Sequence, residues 1–354
     1  MSKPYIQKKI PVGILGATGS VGQKFIELLH DHPWFEITAL AASERSSGKP
    51  YREVVNWFQT SPLPQHIGDI IVNDCEPNLP CKIAFSGLDS SVAGEIETKF
   101  AKAGYVVVSN SKNHRMDPDV PLLVPEINAD HLELVKCQSF DGGMIVTNPN
   151  CSTIGMVLAL KPLLDEFGLE AVSVVTLQAL SGAGYPGVSG LDIMDNVIPY
   201  ISGEEEKMET EPRKIFGTLK NDEIIPQNIT ISAQCNRVAV IHGHLESISV
   251  KLEKPATVDE MKAAWKQFRG EPQRLNLPLA PGQPIHYLEE DRFPQPKLHR
   301  NLDKGMAVSV GRLRPCPVLD YKFTILSHNT IRGAAGGAIL NAELMVKQGL
   351  IPNE

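Results

Sequence analysis

Apolar and polar positions near the start of the chain follow the spacing of a β-α-β unit. Residues 10 to 15 (I-P-V-G-I-L) form an apolar run, the glycine-rich stretch G-A-T-G-S-V-G follows it, and Q-K-F-I-E-L-L-H then has the spacing of an amphipathic helix. The run F-E-I-T-A-L-A-A-S at 35 to 43 predicts a second strand. This order predicts a parallel sheet covered by helices.

The same alternation continues to about residue 149. Residues 82 to 88 predict a strand, 92 to 104 a helix that ends in glycine, and 105 to 110 another strand. Their β-branched runs lack polar alternation, which is typical of strands buried on both faces. We therefore predict a doubly wound domain over residues 1–149.

The pattern changes from residue 170 onward. Longer strands of a mixed or antiparallel sheet are predicted at 170–180, 229–240, 245–252 and 306–313. Thr257 is expected to cap a helix, and Glu271 to Pro296 are expected to form a Pro-rich loop. We expect a second, α+β domain over residues 150–328.

Composition restricts the classes of partner. A chain of 354 residues favours two domains, and its net charge of -7 argues against a nucleic-acid surface. It has no run of eighteen apolar residues, and M-S-K-P-Y-I-Q-K-K-I-P lacks the apolar segment of a signal peptide, so we expect a cytoplasmic protein without membrane contacts. Six separated cysteines show no metal-ligand spacing, so free thiols and no metal site are expected.

The glycines at 16, 19 and 22 lie between a predicted strand and a predicted helix. Such glycines let the backbone turn tightly and let a pyrophosphate approach the free N–H groups of the helix. The strand before and the helix after them favour a dinucleotide site. A tight β-α turn without a ligand is the alternative.

The end of the second predicted strand bears on the choice of nucleotide. Ser43, Arg45, Ser46 and Lys49 supply hydroxyls and cations that suit a 2′-phosphate, which favours NADP. If Glu44 instead binds the ribose hydroxyls, the preference shifts toward NAD.

Cys151 follows the turn-forming Asn-Pro-Asn at the start of a predicted helix. Free N–H groups there lower the pKa of a thiol and can stabilise an oxyanion, whereas most free cysteines are buried packing residues. His244 follows a β-run and a glycine and is the best candidate base, although His242 and His244 would also fit solvated turn positions. Arg237 lies in an apolar strand, where it needs a carboxylate partner from protein or ligand.

Seven segments, in order over essentially the whole chain, resemble those of one known family. They are G-A-T-G-S-V-G-Q-K-F, S-N-S-K-N-H-R-M-D-P-D-V-P-L-L-V-P-E-I-N, N-P-N-C-S-T, Q-A-L-S-G-A-G-Y-P-G, I-S-G-E-E-E-K-M-E-T-E-P, C-N-R-V-A-V-I-H-G-H and H-N-T-I-R-G-A-A-G-G. The chain resembles the aspartate-β-semialdehyde dehydrogenases, in particular their archaeal and fungal-like branch.

The resemblance implies a Rossmann-type NADP-binding domain over residues 1–149, completed by a C-terminal helix at 329–354, and a catalytic and dimerisation domain over residues 150–328. It implies NADPH-dependent reductive dephosphorylation of L-aspartyl-4-phosphate to L-aspartate 4-semialdehyde through a cysteine thioacyl intermediate, in lysine, methionine and threonine biosynthesis. It also implies a homodimer or homotetramer.

The resemblance further assigns roles to individual residues. Cys151 is implied to be the nucleophile, His244 its acid/base partner, and Gln178 the residue that positions the intermediate. Arg237 and Glu205 are implied to hold the α-carboxylate and α-amino groups of the substrate, while Arg115, Asn150 and Lys207 are implied to form the phosphate pocket. The expected cofactor contacts are Gly16, Thr18, Gly19, Ser20, Val21, Gly22, Ser43, Arg45, Ser46, Ser181, Gly182 and Asn329, the last on the nicotinamide side.

Other readings stay open. The segments I-H-G-H-L-E and F-R-G-E-P-Q-R-L-N-L-P-L-A-P resemble the homologous malonyl-CoA (or succinyl-CoA) reductases, whereas the Asn-Cys pair and E-E-E-K favour aspartyl phosphate. N-acetyl-γ-glutamyl-phosphate reductases usually have P-G-C-Y in place of P-N-C-S. A cofactor-free cysteine acyl transferase would need no cationic 2′-phosphate site, yet Arg45 and Lys49 are present.

Overall fold

The computed structural model describes residues 8–351. Residues 1–7, on which the expectation about a signal peptide partly depends, lie outside the described residues, as do the last three positions of the predicted C-terminal helix 329–354. Within the described part, no helix is long and apolar enough to cross a membrane.

A six-stranded parallel sheet forms the first half of the chain. Its strands lie in the order β3-β2-β1-β4-β5-β6, so the sheet is doubly wound around β1, as predicted. The strands are β1 (Ile10–Leu15), β2 (Phe35–Ala42), β3 (Asn73–Asp74), β4 (Ile83–Ser86), β5 (Val106–Ser109) and β6 (Met144–Thr147). The helices are α1 (Ser20–Leu29), α2 (Tyr51–Val54), α3 (Gln65–Gly68), α4 (Ser90–Lys102) and α5 (Pro125–Asn128), followed by a 3-10 segment at Ala129–Cys137.

A mixed six-stranded sheet forms the second half, in the order β10-β7-β11-β14-β13-β12. This half contains α6 (Cys151–Phe167), β7 (Leu169–Gln178), α7 (Gly190–Ile193), α8 (Glu204–Ile215), the hairpin of β8 (Thr218–Lys220) and β9 (Glu223–Ile225), β10 (Thr230–Arg237) and β11 (His244–Leu252). It continues with α9 (Val258–Gln267), α10 (Glu271–Arg274), β12 (Ile285–Leu288), α11 (Pro296–His299), β13 (Val308–Pro315), β14 (Tyr321–Ser327) and α12 (Gly336–Lys347). Short 3-10 segments lie at Leu180–Ala183 and Leu302–Gly305, and a π-helical turn lies at Ile331–Ala335.

Separate groups of buried apolar side chains pack against the two six-stranded sheets. Phe25 of α1 and Ile14 of β1 share the first core with Ile339 and Leu344 of α12. The last helix of the chain therefore packs within the core of the first sheet.

The structure contains elements that the sequence did not predict. The segment expected to be a Pro-rich loop contains α10 and β12, and strands β3, β6 and β14 were also not predicted. Strand β12 has only four residues and pairs parallel with β13 at the sheet edge, so its local apolar pattern is short. The capping prediction for Thr257 is confirmed, since its side chain and that of Glu260 form a reciprocal capping box.

Candidate active site

The glycine turn joins β1 to α1 at the centre of the first sheet. Gly16 adopts φ +74°, and a Cβ there would lie 2.8 Å from the carbonyl oxygen of Gly87. A Cβ at Gly22 would collide with the carbonyl oxygen of Gly16, so glycine lets the helix pack directly on the turn. Within residues 8–351, no side chain caps α1 at Gly19 and no acidic residue occupies its first turn. This helix end therefore fits an anion such as a pyrophosphate.

The end of β2 lies next to this turn, because β2 pairs with β1. Ser43, Glu44 and Arg45 are exposed beyond the strand, and Lys49 donates a hydrogen bond to the Arg45 carbonyl oxygen at 3.2 Å. The two cations of this loop fit a phosphate group on the ribose.

Cys151 is the first residue of α6, directly after the end of β6. Asn150 caps the helix, since its side-chain oxygen accepts the N–H groups of Ser152 at 3.0 Å and Thr153 at 3.3 Å. The Cys151 Sγ atom lies 3.1 Å from Nε2 of His244. The structure thus brings together the predicted nucleophile and its predicted partner, which are separated by 93 positions in sequence.

His244 begins β11 immediately after Gly243, whose φ of +100° turns the chain. The imidazole is fully buried, and its Nδ1 accepts the backbone N–H of Ala179 at 3.0 Å. His242 does not face the same way, because the turn separates it from the strand. Its ring contacts the Ser181 hydroxyl and stacks on His328.

The pKa expected for the nucleophile is corrected by the structure. Burial, together with the charge of Glu204, raises the pKa of the Cys151 thiol to about 12, although Arg237, Arg115 and Lys207 act in the opposite direction. Burial and the neighbouring Arg237 lower the pKa of His244 to about 3. Both shifts favour the uncharged forms of the thiol and the imidazole.

Helix α8 supports Cys151 through two carboxylates. Glu204 accepts a hydrogen bond from Nδ2 of Asn150 at 2.8 Å and one from Lys207 at 2.6 Å. Glu211 accepts the backbone N–H of Asn150 at 2.7 Å and pairs with Arg115 at 2.8 Å. Both carboxylates are buried, so the face of α8 that carries Glu204 and Glu211 is turned away from solvent. The amide of Asn150, expected in the phosphate pocket, is thus used within the protein.

Glu205 lies elsewhere, which corrects the expected site. Its carboxylate accepts the backbone N–H of Cys235 on β10 at 3.0 Å. Adjacent helix residues point in directions about 100° apart, so Glu204 and Glu205 cannot both face the cysteine. Glu204 accepts a hydrogen bond from the Gln178 side chain. The acidic group at this site is therefore Glu204.

Arg237 ends β10 with its side chain inside the protein, where only 5% of the residue is exposed. Its Nη1 donates to the carbonyl oxygen of Ala179 at 2.6 Å. No ion pair joins it to a carboxylate among residues 8–351, although Glu204 is near enough to affect its pKa. Its free donors suit a carboxylate of a ligand.

Ser181, Gly182 and Asn329 meet on the other side of His244. Asn329 donates to the Ser181 hydroxyl at 2.8 Å and accepts the N–H of Gly243 at 2.9 Å. A Cβ at Gly182 would lie 3.2 Å from the His244 ring, so glycine leaves room beside the imidazole.

Glu211 and the buried ion pair of Glu126 with Arg332 are functional candidates that the sequence did not suggest. Glu211 is seven residues after Glu204, a spacing that places both on one helix face and that could have indicated it. Arg332 binds Glu126 across 206 positions, and local patterns carry no signal for such a pair.

A dinucleotide-type glycine turn together with a contact between a cysteine and a histidine is typical of a nucleotide-dependent dehydrogenase. Two family models match the chain: "Semialdehyde dehydrogenase, NAD binding domain" over residues 11–135 and "Semialdehyde dehydrogenase, dimerisation domain" over residues 160–332. The chain belongs to the semialdehyde dehydrogenase family and is similar to its aspartate-semialdehyde dehydrogenases.

Fungal and archaeal relatives cover nearly the full chain. The aspartate-semialdehyde dehydrogenase of Saccharomyces cerevisiae is 50% identical over 97% of this chain and 99% of its own length. That of Archaeoglobus fulgidus is 49% identical over 96% and 99%, respectively. A crystal structure of the Candida albicans enzyme with NADP matches with a TM-score of 0.91 and 46% identity, over 97% of this chain and all of that chain.

Proposed function

We propose that this protein is an NADP-dependent aspartate-semialdehyde dehydrogenase. It converts L-aspartyl-4-phosphate and NADPH to L-aspartate 4-semialdehyde, NADP and phosphate, as part of lysine, methionine and threonine biosynthesis. The observation that carries this proposal is the 3.1 Å contact between Cys151 Sγ and His244 Nε2 at a helix N-terminus, within a group of three cations.

The chemistry follows from the residue types. An acyl phosphate is a good electrophile, so the Cys151 sulfur attacks its carbonyl carbon and forms a thioester. The developing oxyanion lies at the first turn of α6, where the helix dipole stabilises negative charge. Arg115 and Lys207 attract the phosphate, while Arg237 and Glu204 match the charges of the α-carboxylate and α-amino groups.

The bound cofactor supplies the hydride that reduces the thioester. The glycine turn would hold its pyrophosphate, and Ser43, Arg45 and Ser46 would hold the 2′-phosphate. Ser181, Gly182 and Asn329 lie beside His244, where the nicotinamide must reach the thioester carbon. Strictness for NADP over NAD is tested by comparing kcat/KM for both nucleotides.

The main test is run in the oxidative direction. Purified protein receives NADP, aspartate semialdehyde and phosphate, and absorbance at the NADPH band is followed. We expect NADPH formation only when phosphate is present. No phosphate-dependent signal would remove the main proposal.

The rival activities are separate arms of the same experiment. NADPH oxidation with malonyl-CoA would support the coenzyme A thioester reductase instead. Acyl transfer or hydrolysis without nucleotide would support the cofactor-free transferase. The second is disfavoured because a transferase has no use for the cationic loop after β2.

We also propose a homo-oligomer, either dimer or tetramer, in the cytoplasm. One face of the second sheet carries exposed Ser173, Val175 and Ser247, which leaves it available to a second copy. The domain boundaries of 1–149 with 329–354, and 150–328, belong to the same proposal, and the packing of α12 on the first core supports them. Light scattering after size-exclusion chromatography measures the subunit number.

A further inference from the structure

Lys214 is a buried cation near the end of α8, and only 7% of the residue is exposed. Its Nζ atom donates to three backbone carbonyl oxygens, those of Arg115 at 2.8 Å, Asp117 at 2.7 Å and Val120 at 2.8 Å. An ammonium group has three N–H groups, so these contacts use all of them. The Lys214 side chain is therefore fully engaged within the protein and keeps no donor for a ligand.

The three carbonyl oxygens belong to one segment of irregular backbone. Residues 110–120 lie between β5 and α5 and form neither a helix nor a strand. Buried carbonyl oxygens in such a segment need donors from another part of the chain. Lys214 supplies these donors from 94 to 99 positions away, so α8 determines the path of this segment.

Arg115 is held by the same helix through both its backbone and its side chain. Glu211 precedes Lys214 by three positions, so both side chains lie on one face of α8. The Glu211 carboxylate accepts Nη1 of Arg115 at 2.8 Å and the backbone N–H of Asn150 at 2.7 Å. One helix thus fixes the guanidinium relative to the residue that precedes Cys151.

The Arg115 guanidinium keeps a donor for an anion. Its Nη2 donates to the carbonyl oxygen of Asn110 at 2.8 Å, whereas its buried Nε has no hydrogen-bond partner within residues 8–351. A buried N–H group without an acceptor costs free energy, and an anionic oxygen placed there would satisfy it. This donor therefore suits an oxygen of the substrate phosphate.

We propose that Lys214 is a positioning residue of the phosphate site, because its ammonium holds the Arg115 backbone where the guanidinium can bind phosphate beside Cys151. This inference rests on the proposed function and deepens it. Lys214 acts only through the segment at 115–120 and does not touch the substrate. Loss of its N–H groups would leave three carbonyl oxygens without this donor, so the segment would move and Arg115 would move with it.

The first measurement compares Lys214→Met with the unchanged protein in the oxidative assay. Methionine has nearly the same length as lysine and no N–H groups. Displacement of Arg115 by about 1 Å should raise the KM for phosphate by about 10- to 10²-fold. The KM values for aspartate semialdehyde and for NADP should stay the same, because those ligands do not bind through this segment.

Arg213→Met is the matched control, since it removes a neighbouring positive charge from an exposed position of the same helix, and it should leave all three constants unchanged. Lys214→Gln keeps two N–H groups, so its KM for phosphate should lie between those of Lys214→Met and the unchanged protein. It replaces Lys214→Met if circular dichroism shows that Lys214→Met does not fold. A KM for phosphate that stays unchanged in the Lys214 variants, or that rises in step with the other two constants, would overturn the proposal.

The second measurement needs no turnover, since inorganic phosphate is titrated by calorimetry into the NADP-bound protein. We expect the Kd for phosphate of Lys214→Met to exceed that of the unchanged protein by about 10- to 10²-fold. If this result holds while the phosphate-dependent assay fails, the proposed function is removed but Lys214 still positions an anion site. Equal Kd values, or no phosphate binding by the unchanged protein, would refute the inference itself.

Discussion

The buried ion pair between Glu126 and Arg332 predicts a large loss of stability when one partner is removed. Two hydrogen bonds, of 2.8 and 2.6 Å, join the carboxylate to the guanidinium, and both side chains are 0% exposed. Glu126→Gln keeps the shape but leaves the guanidinium buried without a counter-charge. Breaking a buried pair in this way costs about 3 to 5 kcal/mol, several times the value of a surface pair.

Urea denaturation followed by circular dichroism measures this loss in the free energy of unfolding. The matched control is Glu133→Gln, because Glu133 pairs with Lys136 at the surface and both side chains are more than half exposed. The control should change stability by less than about 1 kcal/mol. A cost below about 1 kcal/mol for Glu126→Gln as well would mean that water reaches the guanidinium, and the reasoning about a dry pair would be wrong.

Three further substitutions test the site and its surroundings. Cys151→Ala should abolish turnover, while NADP binding, measured by calorimetry, persists. The control Cys137→Ala, which removes an exposed thiol, should stay active. Any turnover by Cys151→Ala would mean that the nucleophile is misassigned. Gly333→Ala puts a methyl group 2.9 Å from the Cys151 Cβ, so kcat should fall about 10²-fold. The control Gly282→Ala meets no atom within 4 Å and should leave kcat unchanged. Equal kcat values for the two variants would contradict the close packing at Gly333. Burial raises the pKa of Glu246 well above 4.5, so above that pH the folded state retains a proton that the unfolded state has lost, and stability falls as pH rises. Glu246→Gln should therefore raise the free energy of unfolding by about 1 to 3 kcal/mol at pH 8 and change it little at pH 4. The control Glu36→Gln, at an exposed position, should show no such dependence on pH. A difference between Glu246→Gln and the unchanged protein that is the same at both pH values would exclude this linkage.

The sequence predicted what depends on local signals. Glycines between a strand and a helix indicated the turn at Gly16, and Asn-Pro-Asn before a predicted helix indicated that Cys151 lies at a helix N-terminus. Both signals come from backbone geometry that a few adjacent residues determine. The doubly wound sheet was predicted for the same reason, since its longer helices and several of its strands each have a clear local pattern.

Features that depend on distant partners were missed or misassigned. The resemblance implied Glu205, but a run of three glutamates does not reveal which side chain faces the cysteine once the helix forms. The raised pKa of Cys151 could not be predicted either, since it follows from burial by both halves of the chain. The contact of the His244 ring with the Ala179 backbone joins residues 65 positions apart, which no local pattern can indicate.

The position of α12 has a consequence for synthesis of the chain on the ribosome. Ile339 and Leu344 pack on the strands that are made first, so the core of the first sheet must wait for α12 to emerge. Gly333, which contacts Cys151, also arrives late. We expect nascent chains that end at residue 330 to be cleaved by protease where the full chain resists, and equal resistance would show that the first domain closes alone. The Cys151 thiol therefore gains the surroundings seen in the folded protein only after Gly333 and α12 have been made.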